Sequence, residues 1–261
     1  MRPAPTDATP THPGTPPPGL PCVMHQRWRH LLFLHWRIDP ALLQPHLPPG
    51  LTVKTFDGSA WLGVVPFWMR RIRPRFLPCV PGLSNFLELN LRTYVAGPGG
   101  EGVWFFSLDA NQRLAVRIAR TLFKLPYEHA AMESTAGDPD RKTDPDAHPW
   151  LDFTSLRRGH PPEHRCTYHY RGVGPARHAE PGTLDYFLAE RYRLYAWNSK
   201  GERLSAGRVA HAPYPLHDAE VTAGDDTLFA LDGFPQTQRP PDHTVYSPGV
   251  DVRIYPLRRV S

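Results

Sequence analysis

The chain has 261 residues, of which 40% are hydrophobic and 21% are charged, and these shares indicate a globular protein rather than a disordered one. Its 32 prolines exceed the usual share of about 5%, which excludes a fold dominated by long helices. The net charge is +5, and the three separated cysteines, Cys22, Cys79 and Cys166, exclude a disulfide framework or a cysteine-rich zinc site. No apolar run approaches the ~18 residues of a membrane span, so we expect a cytoplasmic protein without a membrane partner.

The N-terminal segment differs in composition from the rest of the chain. Residues 1–24 are rich in Pro, Thr and Ala, and we expect them to form a disordered tail. Residues 25–261 are expected to form a single domain, because no later change of composition marks a second boundary. Within it, residues 29–37 predict a buried strand and residues 40–47 predict a short helix that Pro48-Pro49-Gly50 ends.

Three turn sequences, each between two strand-like runs, predict hairpins. They are Asp57-Gly58 between residues 51–56 and 59–67, Gly97 to Gly100 between residues 86–95 and 102–108, and Asn198 to Gly201 between residues 192–197 and 202–210. Together they predict an α+β, β-rich domain with two or three helices, whose antiparallel strands form a barrel or a sandwich.

Residues 109–124 give the strongest helix pattern, with Asp109 as its N-cap. Arg113, Arg117 and Arg120 lie off the apolar stripe and are expected to be solvated. We expect the stripe to pack on a sheet; it consists of Leu114, Ala115, Ile118, Ala119, Leu122 and Phe123. Residues 182–191 predict a further helix.

The segment FLELNLRTYV, residues 86–95, alternates with the period of a strand. One face carries an acid, an amide, a guanidinium and a phenol, which are Glu88, Asn90, Arg92 and Tyr94. If this face meets water, the strand is an ordinary half-buried one. If it faces an enclosed cavity, these groups are directed at a ligand.

Chemistry that needs a primary amine has four candidates, because the chain contains four lysines. Lys124 follows the predicted helix between Phe123 and Leu125, where desolvation would lower its pKa and free the neutral amine for attack on a carbonyl. A nearby glutamate would transfer protons, and Arg92 would pair with a substrate carboxylate. The alternative is a lysine at a helix C-terminus that extends into solvent.

Several segments in order along residues 25–257 resemble the YqjF-like domain-of-unknown-function family. They are FLHW (33–36), LPPGL (47–51), FDGSAWLGVVPF (56–67), FLELNLRTYV (86–95), LPYEHA (125–130), FLAERYRLY (187–195) and SPGVDVRIYPL (247–257). That family is similar to the acetoacetate decarboxylase-like superfamily. The resemblance implies a closed, cone-shaped antiparallel β-barrel with a ligand cavity inside.

The same resemblance places a Schiff-base lysine just after a proline and a glutamate on a cavity-facing strand. Pro126 matches that proline, and Glu88 lies where the cavity glutamate would. The two lysine positions are Tyr127 and Glu128 here. Without an amine in its expected place, the imine mechanism does not carry over from the fold.

The leading expectation is therefore a protein that binds a small anionic organic ligand, an oxo acid or carboxylate, without a cofactor or metal. Its contacts would include Asn90, Arg92 and Tyr94, together with Glu128, Arg191 and His211. An alternative is a lyase or hydratase that uses a Lys124 imine or acid–base catalysis by Glu88 and Tyr127. A third is a nucleic-acid-binding module at Arg70 to Arg75, which is disfavoured because no aromatic residues interrupt the run. A homo-oligomer is compatible with the sequence.

Overall fold

The computed structural model describes residues 12–135 and 148–260, and within these ranges the fold is mostly β-sheet with four α-helices. The strands are β1 (Met24–Ile38), β2 (Thr52–Val53), β3 (Ala60–Pro74), β4 (Phe86–Gly97), β5 (Gly100–Ala110), β6 (Tyr127–Ser134), β7 (Leu151–Arg157), β8 (Cys166–Arg177), β9 (Arg193–Asn198), β10 (Arg203–Ala210), β11 (Leu216–Gly224), β12 (His243–Ile254) and β13 (Arg258–Arg259). The helices are α1 (Pro40–Leu43), α2 (Arg113–Leu122), α3 (Leu184–Ala189) and α4 (Thr227–Leu231).

All thirteen strands belong to one sheet, in the order β13-β10-β9-β5-β6-β7-β8-β11-β12-β1-β3-β4-β2. Two further pairings, β4 with β5 and β10 with β12, join strands that are distant in this order. The path β12-β1-β3-β4-β5-β9-β10 therefore returns to β12. Most pairs are antiparallel as predicted, but β5 pairs in parallel with both β6 and β9.

Both faces of the central strands are buried. On β4, Leu89 and Leu91 belong to one apolar cluster, which includes Phe153 of β7. The opposite face packs with a second cluster, which includes Phe67 and Tyr127. This side of β4, which we call its second face, carries the polar residues of the alternating segment, Glu88, Asn90, Arg92 and Tyr94.

The hairpins around Gly97 to Gly100 and Asn198 to Gly201 form as predicted. The Asp57-Gly58 turn also forms, with φ of 48° and 76°, and joins a single bridge between Phe56 and Ser59. The predicted hairpin between residues 51–56 and 59–67 was wrong, however, because β2 pairs with β4 and not with β3. Strand β3 is paired on both edges, with β1 and β4, so β2 pairs with the end of β4 beyond β3.

Helix α2 is shorter than predicted and begins at Arg113 rather than Asp109. Its N-cap is Gln112, whose side-chain oxygen accepts hydrogen bonds from Leu114 N and Ala115 N. Asp109 instead lies in β5 and is buried. The chain leaves the helix through Lys124, which adopts a φ of 53° just before Leu125-Pro126. The predicted N-cap was therefore wrong.

The predicted stripe of α2 does not pack on the sheet as a whole. Ala115, Val116 and Ala119 face the protein, and Leu114, Ile118 and Leu122 are exposed. The count of two or three helices was also too low, since α4 had no predicted counterpart.

Residues 1–11 of the expected tail lie outside the described residues. The rest of that segment contacts the body of the protein. His12 meets Tyr192 edge to face with ring centroids 5.4 Å apart, and Arg208 donates a hydrogen bond to Pro13 O.

Candidate functional site

A cavity of about 330 Å³ lies against the second face of β4. Its walls come from β1, β3, β4, β5, α2, the 75–85 loop and the C-terminal strands, and they are almost entirely apolar. Representative lining residues are Trp28, Phe67, Met69, Phe86, Leu108 and Leu125. A cavity of this size holds a small organic molecule.

Glu88 is a carboxyl group in this apolar wall, and only 3% of its surface is exposed. Register brings it there, because Glu88 lies between Phe67 of β3 and Ala110 of β5. Tyr127, at the start of β6, also lines the cavity, and its hydroxyl donates a hydrogen bond to Glu88 Oε2 at 2.7 Å.

Burial raises the pKa of Glu88 to about 7, because the ionised form loses its hydration in the apolar wall. Hydrogen bonds from Tyr127 and Asn90 favour the ionised form and offset part of this rise, and the negative charge of Asp109 adds to it. The phenol of Tyr127 has its pKa raised by burial and by the adjacent carboxylate. At neutral pH, Glu88 is therefore divided between its acid and its carboxylate forms.

Asn90 and Arg92 lie further along the same face of β4, but neither lines the cavity. Glu88 and Arg92 are four positions apart along the strand, which is about 13 Å at the usual rise per residue. Arg92 lies over the ring of Phe33 at 5.3 Å and donates a hydrogen bond to Leu188 O at 3.3 Å. The structure therefore does not bring its guanidinium to Glu88.

Tyr94 belongs to a separate buried chain of hydrogen bonds. Its hydroxyl donates to Leu188 O at 2.8 Å and lies 2.8 Å from His35 Nε2. His35 Nδ1 is 3.0 Å from His243 Nδ1, and His243 Nε2 is 2.8 Å from Asp185 Oδ1. Burial, and then the neighbouring charges of His243 and Arg92, hold the pKa of His35 well below its ordinary value. This chain links Tyr94 to the surface near α3 and does not reach the cavity.

Arg191 and His211 also lie elsewhere. Arg191 bonds Phe187 O and pairs with Glu101 at 3.1 Å. Burial lowers the pKa of His211 to about 4, and its ring packs beside Tyr192, with centroids 4.6 Å apart. Neither residue lines the cavity.

Lys124 is exposed, whereas its neighbours Phe123 and Leu125 line the cavity. Its exposed position does not supply the desolvation on which the imine alternative depends. Glu128 lies at the surface and pairs with Arg120 at 2.7 Å. No lysine is among the cavity-lining residues of the described chain.

A buried ion-pair cluster behind the site was not predicted from the sequence. Arg157 Nε lies 2.8 Å from Asp109 Oδ1, and Arg157 Nη1 lies 2.8 Å from Asp232 Oδ1. Ser107 donates a further hydrogen bond to Asp232. Burial raises the pKa of Asp109 to about 7 despite the attraction of Arg157. The three charged residues are far apart in sequence, and none of them stands in a recognisable motif.

Comparison with known proteins gives the family of the chain. Residues 25–251 match the model of the DUF2071 family, which is described as uncharacterized conserved proteins. The chain belongs to the DUF2071 family. It is also 37% identical over 241 residues to the uncharacterized protein YqjF of Bacillus subtilis (strain 168), covering 92% of this chain and 93% of that protein. The resemblance predicted from the sequence motifs is thus confirmed.

Solved structures of similar fold include acetoacetate decarboxylase-like enzymes. An acetoacetate decarboxylase-like enzyme from Sphingomonas wittichii RW1 aligns with a TM-score of 0.62 at 18% identity, over 93% of this chain and 94% of that one. Acetoacetate decarboxylase from Legionella pneumophila aligns at 0.61 and 11% identity, over 93% and 89%. The enduracididine biosynthesis enzyme MppR, complexed with pyruvate, aligns at 0.59 and 16% identity, over 95% and 91%. At these identities the likeness shows the fold alone.

Two further features of the described residues bear on the expected partners. None of their helices is long and apolar enough to cross a membrane. No group of three or more His, Cys, Asp and Glu side chains among them is arranged to hold a metal ion. Cys166 is buried, while His169 on the other face of β8 lies 2.5 Å from Asp152.

Proposed function

We propose that this DUF2071 protein binds a small, mainly apolar carbonyl compound in the cavity, with the carbonyl oxygen against Glu88. The observation that carries this proposal is the buried Glu88 carboxyl, hydrogen-bonded to Tyr127, in an otherwise apolar wall. The proposal includes the closed, cone-shaped barrel implied by the resemblance, which the circuit of paired strands supports, and a cytoplasmic location.

The acid form of Glu88 supplies the polar contact. Tyr127 donates to one carboxyl oxygen, so a proton on the other oxygen is available to a ligand acceptor. A ketone or aldehyde has such an acceptor and no charge. Each methylene that it places against the apolar wall contributes about 0.8 kcal/mol, or roughly fourfold in affinity, until the cavity is full.

The residues that line the cavity favour a neutral ligand over the anionic one expected from the sequence. An anionic oxo acid was expected because Arg92 would pair with its carboxylate, but Arg92 does not line the cavity. Arg208 also lines the cavity, but its guanidinium donates a hydrogen bond to Pro13 O at 3.0 Å in an exposed position. The carboxylate of an oxo acid held against Glu88 would therefore lie unpaired in an apolar wall next to a second carboxyl group, which is unfavourable. We therefore propose a neutral ligand, and we keep the oxo acid as the alternative that a binding experiment distinguishes.

A second candidate function is acid–base catalysis by Glu88, for a lyase or hydratase type of reaction. The raised pKa of Glu88 favours it, since a pKa of about 7 suits a group that both accepts and donates a proton at neutral pH. In this reaction the Tyr127 hydroxyl would turn from Glu88 to donate to the carbonyl oxygen, and the carboxylate form of Glu88 would remove a proton from the adjacent carbon. Exchange of that hydrogen for deuterium, followed by NMR, would detect this step, and Glu88→Gln would abolish it.

Calorimetric titration with three ligands of equal chain length tests the binding proposal: a methyl ketone, the corresponding 2-oxo acid and the alkane. The ketone should bind most tightly. Its affinity should fall about tenfold per pH unit once Glu88 ionises above pH ~7. In Glu88→Gln, binding should no longer depend on pH in this range.

Glu163→Gln is the matched control, because Glu163 is an exposed glutamate that does not line the cavity. This variant should bind the ketone with the pH dependence of the wild type. Tighter binding of the oxo acid, lost in Arg92→Met, would contradict the neutral ligand and support the anionic one.

A further inference from the structure

Six large apolar side chains are exposed on two neighbouring segments, the 75–85 loop and α2. They are Phe76 (85% exposed), Leu77 (57%), Val80 (49%), Leu114 (51%), Ile118 (37%) and Leu122 (67%), and we call this set the mouth face. The two segments are adjacent, because Gln112 Nε2 donates a hydrogen bond to Gly82 O at 2.8 Å and both segments line the cavity. Isolated exposed apolar residues are ordinary, but six of them on two adjacent segments indicate an interaction surface.

The cavity opens on the mouth face. Leu77, Val80 and Ile118 both line the cavity and are exposed. The Glu88 end is buried. A surface that covers the mouth face would therefore cover the entrance to the cavity.

The charged residues of the two segments that form the mouth face all have one sign. Residues 70–85 and 112–125 contain eight basic residues and no acidic residue. Arg71, Arg75, Arg113 and Arg117 are exposed, and the guanidinium of Arg75 lies 4.9 Å from the centre of the Phe76 ring. Arg120 of α2 pairs with Glu128 of β6 at 2.7 Å.

We propose that the mouth face docks on the surface of an anionic phospholipid bilayer. Helix α2 presents apolar side chains with arginines beside them, the pattern of a helix that lies in a membrane interface. Apolar residues would enter the acyl boundary, and the arginines would meet lipid phosphates. This proposal revises the expectation of no membrane partner, which rested on the lack of a spanning segment.

The charge pattern favours this occupant over two others. A second copy of the chain that joined through the same face would bring two arginine-rich surfaces together, which is unfavourable without acidic partners. Nucleic acid would match the arginines but would leave six apolar side chains in water at the contact. An anionic bilayer satisfies both features at once.

The test is sedimentation of the full-length protein with vesicles of phosphatidylcholine alone and of phosphatidylcholine mixed with phosphatidylglycerol. We expect binding to the mixed vesicles only, weakened by salt. Arg117→Gln should reduce vesicle affinity about fivefold. The double variant Phe76→Ser, Leu122→Ser should abolish binding.

Control variants place the same changes outside the mouth face. Leu42→Ser on α1 and Arg165→Gln before β8, both at exposed residues, should bind vesicles as the wild type does. Thermal unfolding, which does not depend on the proposed ligand, would show that all variants are folded. Absence of binding to anionic vesicles would overturn the proposal. It would also be overturned if Phe76→Ser, Leu122→Ser left vesicle binding intact, or changed a dimer to a monomer without affecting vesicle binding.

Discussion

Tyr127 donates a hydrogen bond to Glu88 at 2.7 Å, although β5 separates their strands in the sheet. The parallel pairing of β5 with β6 places Tyr127 beside Leu108, and the antiparallel pairing of β5 with β4 places Glu88 beside Ala110. The phenol therefore reaches across one strand to the carboxyl group.

Tyr127→Phe should raise the pKa of Glu88 above about 7. In the wild type the Tyr127 hydroxyl stabilises the ionised carboxylate by a hydrogen bond, and the variant removes that bond. We expect a rise of about one pH unit, which corresponds to roughly 1.4 kcal/mol. Infrared titration of the carboxyl band would measure it, with Glu88→Gln used to assign the band. A fall in the pKa of Glu88 would show that Tyr127 does not stabilise its ionised form.

Glu88→Gln should change the pH dependence of stability. The pKa of Glu88 is about 7 in the folded protein and near 4.5 in the unfolded chain, so the folded state binds the proton more tightly. The stabilisation that comes from protonated Glu88 is fully present below pH ~4.5, and it is lost as the pH rises to about 7. Relative to the wild type, the variant should gain up to about 3 kcal/mol between these limits.

Urea unfolding at several pH values would measure this gain. Glu163→Gln should parallel the wild type throughout, since Glu163 is exposed. An equal stability difference between Glu88→Gln and the wild type at every pH would show that Glu88 does not titrate differently in the folded state.

Arg157→Met should destabilise the fold by about 3 to 5 kcal/mol, because it leaves two buried carboxylates without their cation. Both partners of Arg157, Asp109 and Asp232, have less than a tenth of their side chains exposed. Arg171→Met removes a surface pair with Glu220 and should cost less than about 1 kcal/mol. Chemical denaturation at neutral pH would compare the two variants.

Borohydride reduction in the presence of pyruvate should give no lysine adduct in mass spectrometry. The reason is that no lysine lines the cavity of the described chain, and Lys124 is exposed. An adduct that disappears in Lys124→Ala would restore the imine alternative.

The environment of the polar face of FLELNLRTYV could be predicted only in part from the sequence. Alternation placed Glu88 and Arg92 on one face, and the family resemblance directed that face towards a cavity. It did not show that the cavity ends near Glu88. Distance along the strand, about 13 Å, separates the carboxyl group from the guanidinium even though both lie on the same face.

The α2 pattern shows a second limit of the sequence. A stripe that combines alanines with leucines can face the protein through either set, and periodicity does not distinguish them. In the structure the small residues Ala115 and Ala119 allow close approach to the body, while Leu114 and Leu122 are exposed. The buried Arg157 cluster depends on contacts between distant strands, which no local pattern contains.

A crystal structure of the protein soaked with a methyl ketone at acidic to neutral pH would show whether Glu88 binds a carbonyl oxygen. We expect electron density for the ligand inside the cavity, with its carbonyl oxygen within hydrogen-bond distance of the Glu88 carboxyl group and its chain against Phe67 and Leu108. Density for the ligand beside Arg92, or a cavity that stays empty while the ketone binds elsewhere, would contradict it.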